Sequence, residues 1–310
     1  MYSHATSQSH SSFGKKTFFS YFKYFNNRVK KDFLHYKRLR ELHSIMNSYA
    51  LDTFFQPVLC LNTGKTIGFE VLNRPAVTRL FPDTECFYEF VGQSNHVFLF
   101  ECFCRNLSLK RFIDQFKRLA WQEPTLIFIN IHPLVLLDSN YQSGETLELL
   151  TELGIAPQQV VFELTEKSAV TDFALFEKVL SHYRSQGYRI AIDDVGSGYN
   201  SLKTLVYLKP EFIKLDKSLI QNINQNVEQQ LLVKLIVEYA KQSSTEIIAE
   251  GIERTEDLAF IYEQGVHFGQ GYALGRPHKE VRPGEIPFEK TVMDSENYRA
   301  LQEKMAIGGA

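Results

Sequence analysis

From residue 53 onward the chain alternates short apolar runs with longer amphipathic segments, and this rhythm restricts the fold more than any other feature. The strand-length runs fall at residues 54 to 61 (FFQPVLCL), 67 to 73 (IGFEVLN), 125 to 131 (TLIFINI), 160 to 166 (VVFELTE), 189 to 194 (RIAIDD), 212 to 216 (FIKLD), 246 to 250 (EIIAE) and 268 to 274 (FGQGYAL). Helix-length segments fit between them at 83 to 118, 144 to 153, 171 to 186, 199 to 207, 218 to 242 and 255 to 264. Strands alternating with helices predict an α/β protein with a parallel sheet. Eight strands over about 225 residues predict closure into a TIM-like (β/α)8 barrel. Little beyond Asn62-Thr63-Gly64-Lys65 separates the first two runs, too little for a crossover, so these two form a hairpin and one barrel strand runs antiparallel.

The barrel is expected over residues 50 to 280, with an N-terminal helical extension at 1 to 49 and a tail at 281 to 310 carrying a short helix. The first 12 residues, rich in Ser and His, read as disordered. The aromatic-basic stretch from Phe18 to Phe25 follows, then a helix over 28 to 47 with Phe33, Tyr36, Leu39, Leu42 and Met46 at helical spacing. That stripe suits docking on the body or on a sister subunit; a basic amphipathic helix making peripheral contact with the inner membrane is the alternative. Formal charge divides sharply. Residues 1 to 49 hold nine Lys or Arg against Asp32 and Glu41, a net +7, so the total of −2 leaves −9 for the remainder. An acidic body disfavours a nucleic-acid polymer as partner. No run approaches the roughly 20 apolar residues of a span, and no secretory leader is evident, so a cytoplasmic protein is expected. Cys60, Cys86, Cys102 and Cys104 form no metal-binding or disulfide pattern and read as reduced, buried thiols.

Mapped onto the strands, the polar residues gather at the C-terminal ends. Glu70 closes the second run, Asn130 the third, Glu163 and Glu166 the fourth, Asp193 and Asp194 the fifth, Lys214 and Asp216 the sixth, Glu250 and Glu253 the seventh; Gln270 lies in the eighth. Strand ends on that face are where barrel enzymes build their sites. Asp193 and Asp194 would point to opposite faces of a regular strand, so aiming both at one spot needs an irregular strand end, for which Gly196 and Gly198 are available. Five or more converging acids cannot stay ionised together with Lys214 as the one evident cation unless positive charge is supplied. Oxygen-only donors suit Mg²⁺ or Mn²⁺ and disfavour zinc. Paired aspartates can bridge two ions roughly 3.5 to 4 Å apart, the arrangement used for in-line displacement at phosphorus. Hydrolysis of a phosphodiester is the expected reaction class. His132, two residues after Asn130, reads as a structural or rim residue.

Taken together, Gln56-Pro57, Glu70-Val71-Leu72-Asn73-Arg74, Glu163-Leu164-Thr165-Glu166, Asp193-Asp194-Val195-Gly196-Ser197-Gly198-Tyr199, Lys214-Leu215-Asp216, Ala249-Glu250-Gly251-Ile252-Glu253 and Gly269-Gln270-Gly271-Tyr272 resemble the EAL domain of bacterial cyclic di-GMP phosphodiesterases. The resemblance implies hydrolysis of cyclic di-GMP to linear pGpG with two Mg²⁺ or Mn²⁺ ions. It implies one ion on Glu70, Asn130, Glu163 and Asp193, and a second shared through Asp193 with Asp194 and Glu250. Lys214 would orient the attacking water. Gln56, Leu72 and Arg74 would contact the ligand, with Asp216, Gln270 and Glu253 around the mouth. Glu166 would order the loop from 195 to 201, which the family uses to link homodimer formation to metal binding. Val71 replaces the signature alanine, and Val195, Ser197 and Asn200 depart from the usual loop residues. A non-catalytic receptor or protein-interaction domain is the alternative function.

Overall fold

The computed structural model describes residues 9 to 94, 96 to 119, 125 to 132, 135, 144 to 165, 173 to 198 and 201 to 287. The chain divides into two units, one of Met1–Leu51 with Pro75–Phe87 and one of Asp52–Arg74 with Tyr88–Ala310. In the first, helix α1 runs Ser9–Ser48, 40 residues, about 60 Å at 1.5 Å per residue. It starts far earlier than expected and takes residues 9 to 12 into the helix. No proline interrupts this stretch, and Gly14 alone costs only about 1 kcal/mol. Its C-terminal end is anchored within the unit. Arg38 donates from Nε to the Leu80 carbonyl at 3.2 Å and lies over the Phe81 ring, while Leu42 and Ile45 are buried.

The second unit carries the barrel. Strands β1 (Leu51–Cys60), β2 (Thr66–Pro75), β3 (Leu126–Asn130), β4 (Val160–Thr165), β5 (Arg189–Val195), β6 (Phe212–Leu215), β7 (Glu246–Ala249) and β8 (Phe268–Gly269) follow one another around a closed sheet. Pairs from β2 to β8 are parallel. β1 pairs antiparallel with β8, so the reversed strand is the first, as the five-residue connection to β2, Leu61 to Lys65, requires. Between the strands lie α2 (Thr84–Gly92), α3 (Val97–Phe116), α4 (Glu145–Leu153), α5 (Phe173–Ser185), α6 (Ser201–Leu208), α7 (Lys217–Ile220), α8 (Val227–Ser243) and α9 (Thr255–Glu263).

Period-two alternation decides what faces the barrel axis. Val58, Phe128, Val161, Ala191, Phe212 and Ile248 form one buried apolar cluster, with Phe268 packed against it. Two residues beyond each of the last five strands' members come Glu163, Asp193, Lys214, Glu250 and Gln270, and beyond Phe128 comes Asn130. The polar layer therefore sits on an apolar plug. A much larger apolar cluster packs the helices outside the sheet.

Three expected elements differ. The helix expected over 83 to 118 breaks after Gly92, where the Ser94 hydroxyl donates to the Val91 carbonyl at 2.7 Å and accepts the His96 N–H at 3.3 Å. Local side-chain bonds of this kind compete with helix continuation. The helix expected over 218 to 242 is two pieces, since Asn222 is left-handed (φ 59°) and Asn226 starts α8 by accepting the Gln229 N–H at 3.2 Å. β8 stops at Gly269, after which Gly271 lies so close to Ile252 that a Cβ would come 2.1 Å from its carbonyl oxygen. The tail helix falls outside the described residues. All four cysteines are free and half-buried, less deeply placed than expected.

Candidate active site

Lys214, on β6, is fully buried and its ammonium gathers four carboxylates from four strands. Nζ lies 2.7 Å from Glu250, 2.8 Å from Glu163, 3.3 Å from Asp193 and 3.5 Å from Glu70. Strand register makes this possible: Asn130 sits opposite Glu163, and Thr165 opposite Asp193, so the β3, β4 and β5 donors step around the barrel mouth. Glu70 is held from both sides, accepting Asn130 Nδ2 at 3.3 Å and Gln270 Nε2 at 2.7 Å. Gln270, expected near the mouth, thus joins the acid layer itself.

Asp193, Asp194 and Glu250 each bring one carboxylate oxygen within 4.8 Å of the others. The irregular strand end this demands is present. The β5 to β6 pairing shifts register between Ile192 and Val195, Asp194 itself is left-handed (φ 59°), and Gly196 has φ 102°. The break therefore falls on Asp194 and Gly196; Gly198 is not left-handed. At Gly196 a Cβ would meet Leu219 at 2.2 Å, so glycine is required there for space as well as angle.

Charge in this layer is out of balance. Glu70, Glu163, Asp193, Asp194 and Glu250 against Lys214 leave four negative charges when all are ionised, the complement of two divalent cations. Burial, reinforced by Glu70 and Asp193 and opposed by Lys214, pushes the Glu163 carboxyl well above the usual range. Burial first, then Asp193 and Glu70, raises Glu250 to about 8. Lys214, which burial alone would lower, is held far above its ordinary value by Asp193, Glu163, Glu250 and Glu70. Glu163 Oε2 and Gln270 Oε1 are buried without a hydrogen-bond partner, and a buried acceptor left so is costly. These orphaned oxygens and the surplus negative charge fit divalent cations with oxygen ligands.

The remaining expected residues divide. Gln56 is buried on β1 and donates to the Gly275 carbonyl at 3.2 Å. Leu72 and Arg74 continue the Glu70 alternation on β2, with Arg74 exposed and its guanidinium 4.9 Å over Phe54. Asp216 caps α7, accepting the Ser218 N–H at 2.9 Å. Glu253 is exposed. Glu166 and residues 199 to 200 of its loop lie outside the described residues. His132 follows the end of β3, as a rim residue would; Glu101 on α3 accepts its backbone N–H, and Gly92 leaves the space beside its ring. Sequence reasoning missed Glu101. A lone acid between Phe100 and Cys102 in an apolar helix was the available signal.

The sequence model of the EAL domain matches residues 39 to 277. This chain belongs to the EAL domain family. Among similar curated proteins, the EAL chain is 27% identical over 238 residues to the cyclic di-GMP phosphodiesterase RocR of Pseudomonas aeruginosa, covering 76% of this chain and 59% of RocR. It is 29% identical over 237 residues to the cyclic di-GMP phosphodiesterase PdeL of Escherichia coli, covering 75% of this chain and 64% of PdeL. The chain spans between one fifth and just under two thirds of the curated relatives it matches. The EAL enzyme Bd1971 in its cAMP- and cyclic-di-GMP-bound form has the same fold, with TM-score 0.72 and 24% identity over 88% of this chain and 74% of that one. The PaMucR phosphodiesterase in complex with c-di-GMP gives TM-score 0.68 at 22% identity over 78% of this chain and 97% of that one.

Proposed function

We propose that this EAL domain hydrolyses cyclic di-GMP to linear pGpG with two Mg²⁺ or Mn²⁺ ions. The observation that carries the reading is the Lys214 cage, where carboxylates from β2, β4, β5 and the end of β7 converge above the apolar plug. Glu70, Asn130, Glu163 and Asp193 would hold one ion; Asp193, Asp194 and Glu250 would hold the other. Bound there, the two cations would make water acidic enough to act as nucleophile and would neutralise phosphoryl charge. The chain's own residues do the rest. Lys214 would orient the attacking water by hydrogen bonding and face the charge that develops at phosphorus. Gln270 and Asn130 fix the Glu70 carboxylate in place. Arg74, already at the strand end and exposed, can grip a ligand phosphate, while Gln56 and Leu72 line its approach.

The relatives named for cyclic di-GMP phosphodiesterase activity support the substrate assignment. The chain also presents a surface suited to a homodimer. Val227, Leu231 and Leu235 are exposed at four-residue spacing on α8, and Val206 and Tyr207 are exposed on α6; Tyr239 of α8 donates to the Leu205 carbonyl at 3.0 Å. Purified chain with Mn²⁺ should convert cyclic di-GMP to pGpG on chromatographic analysis, and Glu70→Ala should reduce turnover by at least about a thousandfold. Tight binding of cyclic di-GMP with no product would instead make the domain a receptor. Equal turnover of other cyclic dinucleotides would remove the substrate assignment and leave the reaction class.

A further inference from the structure

We propose that helix α1 is a membrane-surface helix that lies on anionic phospholipid, an interaction independent of the hydrolytic reading. Tyr21, Phe25, Val29 and Phe33 recur every four residues, and Tyr36 follows on the same side; at 100° per residue the five occupy an arc of about 120°, which also takes in Asp32 and Arg40, while exposed Tyr24 and Leu34 lie outside it. The five are 48 to 69% exposed, an unusual state for four aromatic rings and a valine spread over about four turns of helix. Basic residues border the stripe. Arg28 flanks one edge, and Lys37, Lys30 and Lys23 flank the other, all exposed. Lys37 folds over the Phe33 ring with Nζ 4.6 Å from its centroid, so that aromatic body and cationic head occupy one patch. An apolar stripe edged by Lys and Arg is the pattern of a helix that buries its rings at the headgroup boundary and pairs its cations with lipid phosphate.

The competing occupant of such a stripe is a second copy of α1. Two features weigh against it. Its seam would consist of Phe and Tyr, where paired helices favour Leu, Ile and Val. Its flanks would bring together two segments of net +7, with only Asp32 and Glu41 in residues 1 to 49 to form opposite-charge pairs. An anionic lipid surface meets both the rings and the charge. Residues 50 to 310 carry −9, so electrostatic attraction to that surface is confined to the extension. The described part of α1 is not long and apolar enough in any window to cross a membrane, which makes its contact one of lying on the surface.

The test is co-sedimentation of the full 310-residue chain with vesicles of phosphatidylcholine mixed with phosphatidylglycerol, and with vesicles of phosphatidylcholine alone. The chain should sediment with the anionic vesicles, stay in solution with the neutral ones, and dissociate as salt is raised. Lys23→Glu, Lys30→Glu and Lys37→Glu together should weaken partitioning by at least about a hundredfold, as the loss of three interfacial cations implies. Phe25→Ser with Phe33→Ser should also release the chain, with helix content unchanged by circular dichroism. Failure of the unaltered chain to bind anionic vesicles, or equal binding to neutral ones, would overturn the proposal without any variant. So would a lipid-free oligomer that the Phe25→Ser, Phe33→Ser chain can no longer form.

Discussion

Lys214 spends its one positive charge on four carboxylates at 2.7 to 3.5 Å, and two consequences follow at the level of single residues. Lys214→Ala removes the counter-charge from buried acids, so in chelator the fold should lose about 3 kcal/mol or more, the usual cost of breaking a buried pair from one side. Added Mn²⁺ should restore much of that loss while turnover stays abolished. Thermal unfolding with and without Mn²⁺ measures both, and an unchanged melting temperature in chelator would show that Lys214 does not neutralise the cage. The second consequence concerns protons. Glu250 titrates near 8 and Glu163 well above the usual carboxylate range when no cation is bound, so a cation must displace protons at neutral pH. Apparent Mn²⁺ affinity should then fall roughly tenfold per pH unit, for each proton displaced, as pH drops below 8. Titration calorimetry at several pH values would read this, and a flat affinity would contradict the assigned ligands.

Among the elements, the junction of α3 with the end of β3 joins a helix to the site through one acid. Burial raises Glu101 to about 7, against the lowering influence of Arg105 and of the His132 N–H. The folded-state value lies above the unfolded one near 4.5, so the folded chain holds this proton more tightly. The associated stability is complete below about pH 4.5 and is lost as pH rises through 7. Relative to Glu101→Gln, the unaltered chain should lose on the order of 2 to 3 kcal/mol between pH 5 and pH 8.5 in chemical denaturation; a parallel response of the two chains would refute the assignment. At the β5 exit, Gly196→Ala should cost roughly 1 to 3 kcal/mol through the positive φ and the Leu219 contact, readable as a lowered denaturation midpoint. These elements also show what sequence could reveal. Strands β3 to β8 were legible because their inward positions alternate from apolar plug to polar site, as in Val161 to Glu163 and Phe212 to Lys214. The helix break after Gly92 and the early end of β8 at Gly271 were not legible, because the Ser94 turn and the Ile252 contact that decide them exist only once the chain has folded. Asp216 illustrates a genuine ambiguity: an acid after a strand and before Lys-Ser reads equally as site residue or helix cap, and the structure shows it capping α7.

For the molecule as a whole, the family and the barrel are established, and the remaining claims concern assembly and chemistry. The exposed stripe Val227, Leu231 and Leu235 on α8 should hold two chains together, so Leu231→Glu with Leu235→Glu should give a monomer by sedimentation velocity. A dimer that survives both substitutions would place the interface elsewhere. The central claim is that one barrel mouth, with five acids around a single buried lysine, works by taking up two divalent cations. The order of the reaction in metal tests it most directly. Below saturation, the rate of pGpG formation from cyclic di-GMP should rise with the square of free Mn²⁺ concentration. A rate that rises with its first power, or that is indifferent to chelator, would contradict the two-ion site.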